Sequence, residues 1–458
     1  MFFLLPNQLR QLDINTPTLI SWVFELTDVS HDLVDYFYLA EACETRYFWR
    51  TPDASFSLVG IEACQTYFSK TYEEMALYQQ TIQQNIVTNK SEFGTGPVIL
   101  GGFPFDDSVN SQKVWNQLGN GYLFLPKIML TETHHGQFLT VNVMAESMSD
   151  LEDKWQEITH LWQEVVNKKI ASISSNASVE MTEVSVPEWL TTVEQAIDEI
   201  KSDSPIKKIV LARELKIESK SPVSVNEVLK NSLAQQENTY FFALELNDVA
   251  FVGATPERLL SLSEGVVSTA CVAGSIPRGE TTVEDDKLGK QLLDDMKNQS
   301  EHNIVVDAIE KEMKTITTTL SEKGQPSLLK NRDIQHLFFP FSGQKKADVS
   351  FFQAIKTLHP TPALGGEPKE LTTKWIKEYE PGCRGLYGAP IGWYAISGEE
   401  GEVAVGIRST LISQNEALLY AGCGIVSDSI PTEELNETRV KFQPMLRAIG
   451  GEKSVTSK

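Results

Sequence analysis

Cysteine is scarce: the five present, Cys43, Cys64, Cys271, Cys383 and Cys423, are odd in number and scattered. That spacing excludes a disulfide framework and a thiolate zinc site, and it fits a reducing compartment, so a cytoplasmic location is expected. Long apolar runs are also missing. None approaches the roughly 20 residues of a membrane-spanning helix. The opening run Met1 to Leu5 is cut by Pro6 and has no basic start, so no secretory leader is expected. Basic residues are in the minority, with 40 Lys and Arg against 62 Asp and Glu, a net charge of −22 and a pI near 4.8. Such a chain repels nucleic acid and anionic membranes. An anionic ligand would need local positive charge or a metal ion of its own.

What is there suits a large folded enzyme. The 458 residues are 41% hydrophobic and 9% aromatic, enough for one large core or two ordinary ones. No internal repeat stands out. One linker-like stretch, Ala171 to Val186, rich in Ser and Val, suggests a division into an N-terminal lobe, residues 1–170, and a C-terminal region, residues 187–452. The first part mixes strand-like runs (Phe56 to Ile61, Val98 to Phe103, Gly121 to Leu130) with a helix expected around Leu151 to Lys168. After it, Pro187 opens an amphipathic helix, strands are expected at Lys208 to Leu215, Thr239 to Leu246 and Val249 to Ala254, and one long helix at about Asp285 to Thr317. Several strands in a row between long helices, without regular alternation, point to an α+β plan.

Acidic residues in unusual places are the first chemical signal. At 100° per residue, Glu301 shares the apolar stripe of Ile304, Val305 and Ala308, where a carboxylate needs a partner. A boundary glutamate that reaches water or Lys297 is the plainer reading, and a metal ligand the sharper one. After the turn Ala421-Gly422-Cys423-Gly424, Pro431 starts a helix on which Glu434, Glu437 and Lys441 share one face. Surface ion pairing accounts for that spacing. Two carboxylates from different helices are equally what a Mg2+ ion needs if it is to keep positions for water and an anionic ligand. Lys208 begins a strand, Ile209 to Ala212, that is apolar on both faces, so it is either a buried base or a strand-end lysine reaching solvent. Glu257 follows Thr255-Pro256 at a strand end, as a proton donor aimed into a cleft or as an exposed partner of Arg258.

Read together, the segments are specific. They comprise Lys208-Ile209-Val210-Leu211-Ala212-Arg213, Thr255-Pro256-Glu257-Arg258-Leu259, and Ala273-Gly274-Ser275-Ile276-Pro277-Arg278-Gly279. To these are added Ser300-Glu301-His302, Ile334-Gln335-His336-Leu337, and His359-Pro360-Thr361-Pro362-Ala363-Leu364-Gly365-Gly366. Arg384-Gly385-Leu386-Tyr387-Gly388, Val405-Gly406-Ile407-Arg408-Ser409 and the terminal helix with Glu434 and Glu437 complete the set. In this order they resemble the chorismate-utilising enzyme family, of the anthranilate synthase component I kind, from about Pro187 to Gly450. A weaker likeness, Gly101 to Phe105 and Phe124 to Pro126, extends into the first part.

The resemblance implies the chorismate-binding fold, two large antiparallel sheets packed as a sandwich with helices around them. It makes residues 187–452 the catalytic region. It also implies a Mg2+ cofactor on Glu301 and Glu437, with Glu434 nearby as ligand or support, and chorismate as the substrate. Arg408, Tyr387 and Lys441 match positions that hold its carboxylates, the backbone at Gly274 and Gly422 should line the pocket, and His336 should contact the substrate, although a packed structural histidine remains open. Ala273 stands where some relatives carry a nucleophilic lysine, and Lys208 is typical of members that use water rather than ammonia. Lys208 is thus implied as general base and Glu257 as general acid of an isochorismate synthase, serving menaquinone biosynthesis or, alternatively, a siderophore pathway. Ala363, next to Leu364, matches members that release isochorismate rather than form salicylate from it. Asn298 departs from relatives that carry an acid there. A monomer without a glutamine amidotransferase subunit is expected.

Overall fold

The computed structural model of the chain describes residues 3–27, 31–90, 92–106, 113–115, 118–170, 179–322 and 324–450. Twenty strands among them form one hydrogen-bonded network that divides at Tyr122–Thr133. Along one side this strand pairs with Ser57–Phe68 throughout. Along the other, its beginning pairs with Val98–Gly102 and its end with Gly136–Ala145. Two layers diverge from the split. One runs through Thr45–Arg50, Tyr240–Leu246, Val249–Thr255, Ser409–Ser413 and Glu416–Ile425 to Lys208–Ser219. The other runs through Pro390–Ala395, Gly401–Val405, Arg258–Ser263 and Val266–Pro277 to Ile334–Gln344. Every pairing among the described residues is antiparallel except that of Thr18–Leu26 with Ile86–Thr88.

The layers pack face to face over an aromatic core that includes Tyr47, Trp49, Tyr122, Phe124, Phe242, Phe251 and Trp393. Polar bonds cross it: the Tyr240 hydroxyl donates to the Glu402 carboxylate at 2.8 Å and the Tyr47 hydroxyl to the Gly392 carbonyl at 3.1 Å. The outer faces are covered by helices. Leu33–Leu39, Met148–Asn167, Val225–Gln235 and Pro431–Ile449 cover one, and Tyr72–Ile82, Met296–Ile316 and Phe351–Leu358 the other. This is the antiparallel sandwich with surrounding helices that the family resemblance implies.

The expected linker is in part a strand. Residues 171–178 lie outside the described residues, whereas Val179–Glu183 pairs with Lys208–Ser219. Strands from 1–170 and from 187–452 are joined within each layer at one junction, Thr45–Arg50 with Tyr240–Leu246 in one and Val98–Gly102 with Pro390–Ala395 in the other.

The single helix expected over Asp285 to Thr317 is two, Thr282–Asp294 and Met296–Ile316, broken at Asp295. Asp295 is extended (φ −75°, ψ 115°), and its carboxylate accepts from the Asn298 amide at 2.8 Å and from the Asn298 side chain at 2.7 Å. Aspartate competes with a continuing helix and caps a new one well, which a periodicity argument does not register. The break sets the start of the second helix, and so places Asn298 and Glu301 in its first two turns.

Candidate active site

Where the ends of the two layers meet the helices Met296–Ile316 and Pro431–Ile449, an open cleft with a water-accessible volume of about 80 Å³ is lined by Lys208, Glu257, Gly274, Glu301, His336, Ala363, Leu364, Tyr387, Arg408, Gly422, Glu437 and Lys441, among others. Every site residue expected from the sequence lines it except Glu434. Local geometry explains each placement.

Lys208 opens its strand between two neighbours, opposite Glu367 on one edge and one residue before the Ile209 and Ile425 pair on the other. It is 1% exposed, and its ammonium donates to the Glu301 carboxylate at 2.7 Å. Of the readings open from the sequence, the solvent-reaching strand-end lysine is excluded. Glu301 meets Lys208, while Lys297 lies 3.6 Å from Glu434 instead. Gly424 shapes this contact. A Cβ there would stand 2.5 Å from Lys208 Cε and 2.7 Å from Glu301 Oε1, so a side chain at position 424 would occupy the ion pair's space. Gly422, two residues earlier, would put a Cβ 3.0 Å from the Tyr387 hydroxyl.

Glu257 is 4% exposed and is fixed through its backbone. Its amide donates to Thr255 Oγ1 at 3.3 Å, and its carbonyl accepts from the Val405 amide at 3.0 Å. Burial pushes its carboxyl up to about 7, a rise that Arg408, Lys208 and Lys441 hold in check. Near neutrality a substantial share of it is therefore protonated, the form a general acid needs.

Positive charge gathers opposite. The Arg408 guanidinium has no hydrogen-bond or ion-pair partner among the described residues, while its carbonyl accepts from the Ala254 amide at 3.1 Å; burial lowers its pKa, and Tyr387, Glu437, Glu257 and Asp333 act against that. Its backbone is left-handed (φ 49°), a conformation that strains a residue bearing a Cβ by roughly 1–2 kcal/mol. Lys441 bonds the Gly422 carbonyl at 2.9 Å and Glu437 at 2.5 Å. Tyr387 stacks on Tyr420 with ring centroids 5.2 Å apart. Arg384, not singled out from the sequence, forks onto Glu380 at 2.7 and 2.6 Å and onto the carbonyls of Leu364 and Val210 at 2.9 and 2.8 Å, tying two cleft walls together.

His336 is buried and bonds Ser275 Oγ through Nδ1 at 2.7 Å. Burial, with Arg408 and Lys441 adding to it, holds its pKa well below the usual histidine value, so the ring is neutral. Gly274 (φ 82°) sits at a bulge in the strand Val266–Pro277, beneath Asn298, whose side-chain oxygen accepts from the Ser275 amide at 3.2 Å. Asn298 is thus a cleft residue that holds the bulge. The sequence marked Asn298 only as a departure from relatives that carry an acid there, and its hold on the bulge depends on the helix break before it, whereas the two-residue spacing of Gly422 and Gly424 was a signal that both face one side of a strand.

Among the described residues no three His, Cys, Asp or Glu side chains converge as a ready-made metal site. Glu301 and Glu437 nonetheless offer hard oxygen donors to the same cleft, and Mg2+ commonly rests on one or two carboxylates plus water and ligand. Carboxylate crowding is visible at Glu434, whose pKa is raised first by burial, then by Glu437, with Glu301 adding to it. For Glu437 burial acts upward too, but Lys441, Arg408 and Lys297 outweigh it and keep the group ionised. The donors present fit the ion. Glu434, 3% exposed and turned toward Lys297, does not line the cleft.

Comparison with known proteins identifies the family. A family model described as chorismate binding enzyme matches residues 7–450. The chain is 38% identical over 419 residues to isochorismate synthase MenF of Bacillus subtilis, covering 89% of this chain and 88% of that protein. Its fold is similar to that of MenF, the menaquinone-specific isochorismate synthase from Escherichia coli (TM-score 0.82, 24% identity, 96% of this chain and 97% of the other). It is also similar to anthranilate synthase component I from Streptococcus pneumoniae (TM-score 0.69, 20% identity, 86% and 92%). The match runs almost from end to end and takes in every residue of the cleft, so the chain belongs to the chorismate-binding enzyme family.

Proposed function

We propose that the protein is an isochorismate synthase acting in menaquinone biosynthesis, and that Lys208 and Glu257 are its general base and general acid. The observation that carries this reading is a buried lysine and a buried glutamate of raised pKa lining one cleft beside an unpaired guanidinium. In the proposed reaction Lys208, in its neutral amine form, takes a proton from water as the water oxygen bonds to C2 of chorismate. The ring double bonds each shift by one position, and the C4 hydroxyl leaves with the proton of Glu257. One water is consumed and one released. General acid and base terms contribute roughly 10²- to 10⁴-fold each, so the clamps that place the ring matter as much.

Arg408 is the free fork for one substrate carboxylate, with Lys441 and the Tyr387 hydroxyl beside it. A Mg2+ ion held by Glu301 and Glu437 would neutralise the ring carboxylate and take over the Glu301 charge that Lys208 now balances. Ala273 leaves no amine for covalent attack, and Ala363 beside Leu364 supports release of isochorismate rather than salicylate. Similarity to the Bacillus subtilis MenF supports the menaquinone assignment over a siderophore pathway. No described helix is long and apolar enough to cross a membrane. We assign a cytoplasmic monomer that needs no amidotransferase subunit.

The test is incubation of purified protein with chorismate, with and without Mg2+, followed by chromatography. Isochorismate without salicylate, formed only with the metal, is the expected result; absence of magnesium-dependent turnover overturns the reading.

A further inference from the structure

Behind Arg408 and His336 lies a second cavity with a water-accessible volume of about 20 Å³, lined by Gln236, Thr239, Pro256 and Asn331 as well as by those two residues. It shares Pro256, His336 and Arg408 with the main cleft, so the two spaces meet at a common wall beside Glu257 and away from Lys208. Three of its side chains are more than nine-tenths buried and carry a polar atom without any partner: Gln236 Nε2, Thr239 Oγ1 and Asn331 Oδ1. A buried donor or acceptor left alone costs about 1–3 kcal/mol. One such atom could be an accident of packing. Three from separate positions, all on one cavity, call for a shared partner, and a space of this size admits about one water at a time and no ring substrate.

We propose that this cavity is the route by which water leaves and reaches the Glu257 side of the cleft while chorismate fills the front. The inference rests on the isochorismate synthase reading. There the C4–O bond breaks as its hydroxyl takes the Glu257 proton, so a water appears at the inner end of an occupied site, and in the reverse direction a water must arrive at the same place. The unpartnered amide, hydroxyl and carbonyl line this cavity, and the wall it shares with the cleft at Pro256, His336 and Arg408 stands next to that point. Gln236, Thr239 and Asn331 thereby act through water and touch neither substrate nor metal.

The experiment follows internal return. Chorismate carrying oxygen-18 in its C4 hydroxyl is incubated in ordinary water with Mg2+ and the full-length protein, and the chorismate recovered after partial equilibration is analysed by mass spectrometry. With the cavity open, each reversal brings in bulk water, and the label is lost as isochorismate accumulates. Thr239→Leu, which fills the cavity, should trap the released water so that it returns to C4. Label retention per turnover should rise several-fold and kcat should fall, while KM for chorismate stays within about twofold. Gln236→Leu removes one polar partner without adding bulk and should move retention in the same direction; it decides the matter if Thr239→Leu does not fold. Retention equal to that of the unaltered protein, in whichever of these variants is folded, overturns the route and makes the cavity a store of structural water. If the unaltered protein forms no isochorismate, the functional reading fails first and the route with it.

Discussion

Lys208 and Glu301 form an ion pair at 2.7 Å, one partner fully buried and the other 18% exposed, although they come from a strand start and a helix second turn 93 positions apart. On the proposed mechanism the pair joins the base to the metal site. Lys208→Ala should lower turnover by about 10²- to 10⁴-fold while chorismate binding stays nearly intact. Steady-state rates and a direct binding titration separate the two effects, and loss of binding would remove Lys208 from the role of base.

Removal of the metal should act through the two carboxylates. Treatment with a chelator should abolish turnover, and added Mg2+ should restore it. Glu301→Gln and Glu437→Gln should each raise the Mg2+ concentration for half-maximal rate by tenfold or more, on the order of 1.4 kcal/mol. Unchanged metal dependence in both variants would place the ion elsewhere.

Gly424→Ala tests the shape of the same contact. Its Cβ would stand 2.5 Å from Lys208 Cε, and the neighbouring carboxylate oxygen is almost as close. The expected outcome is a loss of turnover approaching that of Lys208→Ala with far-ultraviolet circular dichroism unchanged. Full activity would show that the pair can shift at little cost.

Glu257 carries the pH prediction. Its carboxyl is raised from the ordinary 4.5 to about 7, so the proton-donating form is lost as pH rises through 7, and kcat/KM for chorismate should fall on that limb. Glu257→Gln should lose both the limb and most of the activity. Linkage has the same sign. Between about 4.5 and 7 the folded protein holds a proton that the unfolded chain has released, so stability declines with rising pH across that window. The deficit is on the order of 3 kcal/mol above it. Glu257→Gln should therefore be more heat-stable than the unaltered protein at pH 8, with the difference shrinking toward pH 5; no pH-dependent difference in Tm would contradict a buried, raised carboxyl.

Arg408→Lys and Arg384→Met should fail differently. Arg408 has no protein partner to lose, so replacing its fork should raise KM for chorismate about ten- to a hundredfold, equivalent to ~1.5–3 kcal/mol, with Tm close to unchanged. Arg384 is 6% exposed and so is its partner Glu380. Its removal leaves a buried carboxylate uncompensated and should destabilise the fold by roughly 3–5 kcal/mol. Denaturant titration beside kinetics distinguishes the two.

Much of the site was legible because the chemistry is carried by short motifs on strand ends and helix turns, where residue type and spacing survive without knowledge of the fold. Lys208, Glu257, Glu301, Arg408, Glu437 and Lys441 were each singled out, and all line one cleft. Partner choice was not legible. Whether Glu301 meets Lys297, water or Lys208 depends on which strand end faces the helix, and the break at Asp295 that sets this facing comes from a side-chain cap rather than from hydrophobic periodicity. Nor was the joining of strands from the two parts of the chain within both layers visible. Pairing between Thr45–Arg50 and Tyr240–Leu246 joins segments nearly 200 positions apart, and a strand's own pattern states which face is buried, not which neighbour it takes.

The amino-acid sequence thus determined the class of chemistry, since an acidic chain with lysine, arginine and glutamate motifs in this order belongs to one family, and it determined the α+β plan through its alternating and helical patterns. Tertiary structure alone decided the protonation of Glu257, the freedom of Arg408 and the pairing of Lys208 with Glu301. Each of these depends on burial and on charges brought within a few ångströms by distant parts of the chain, and neither quantity exists before the layers close.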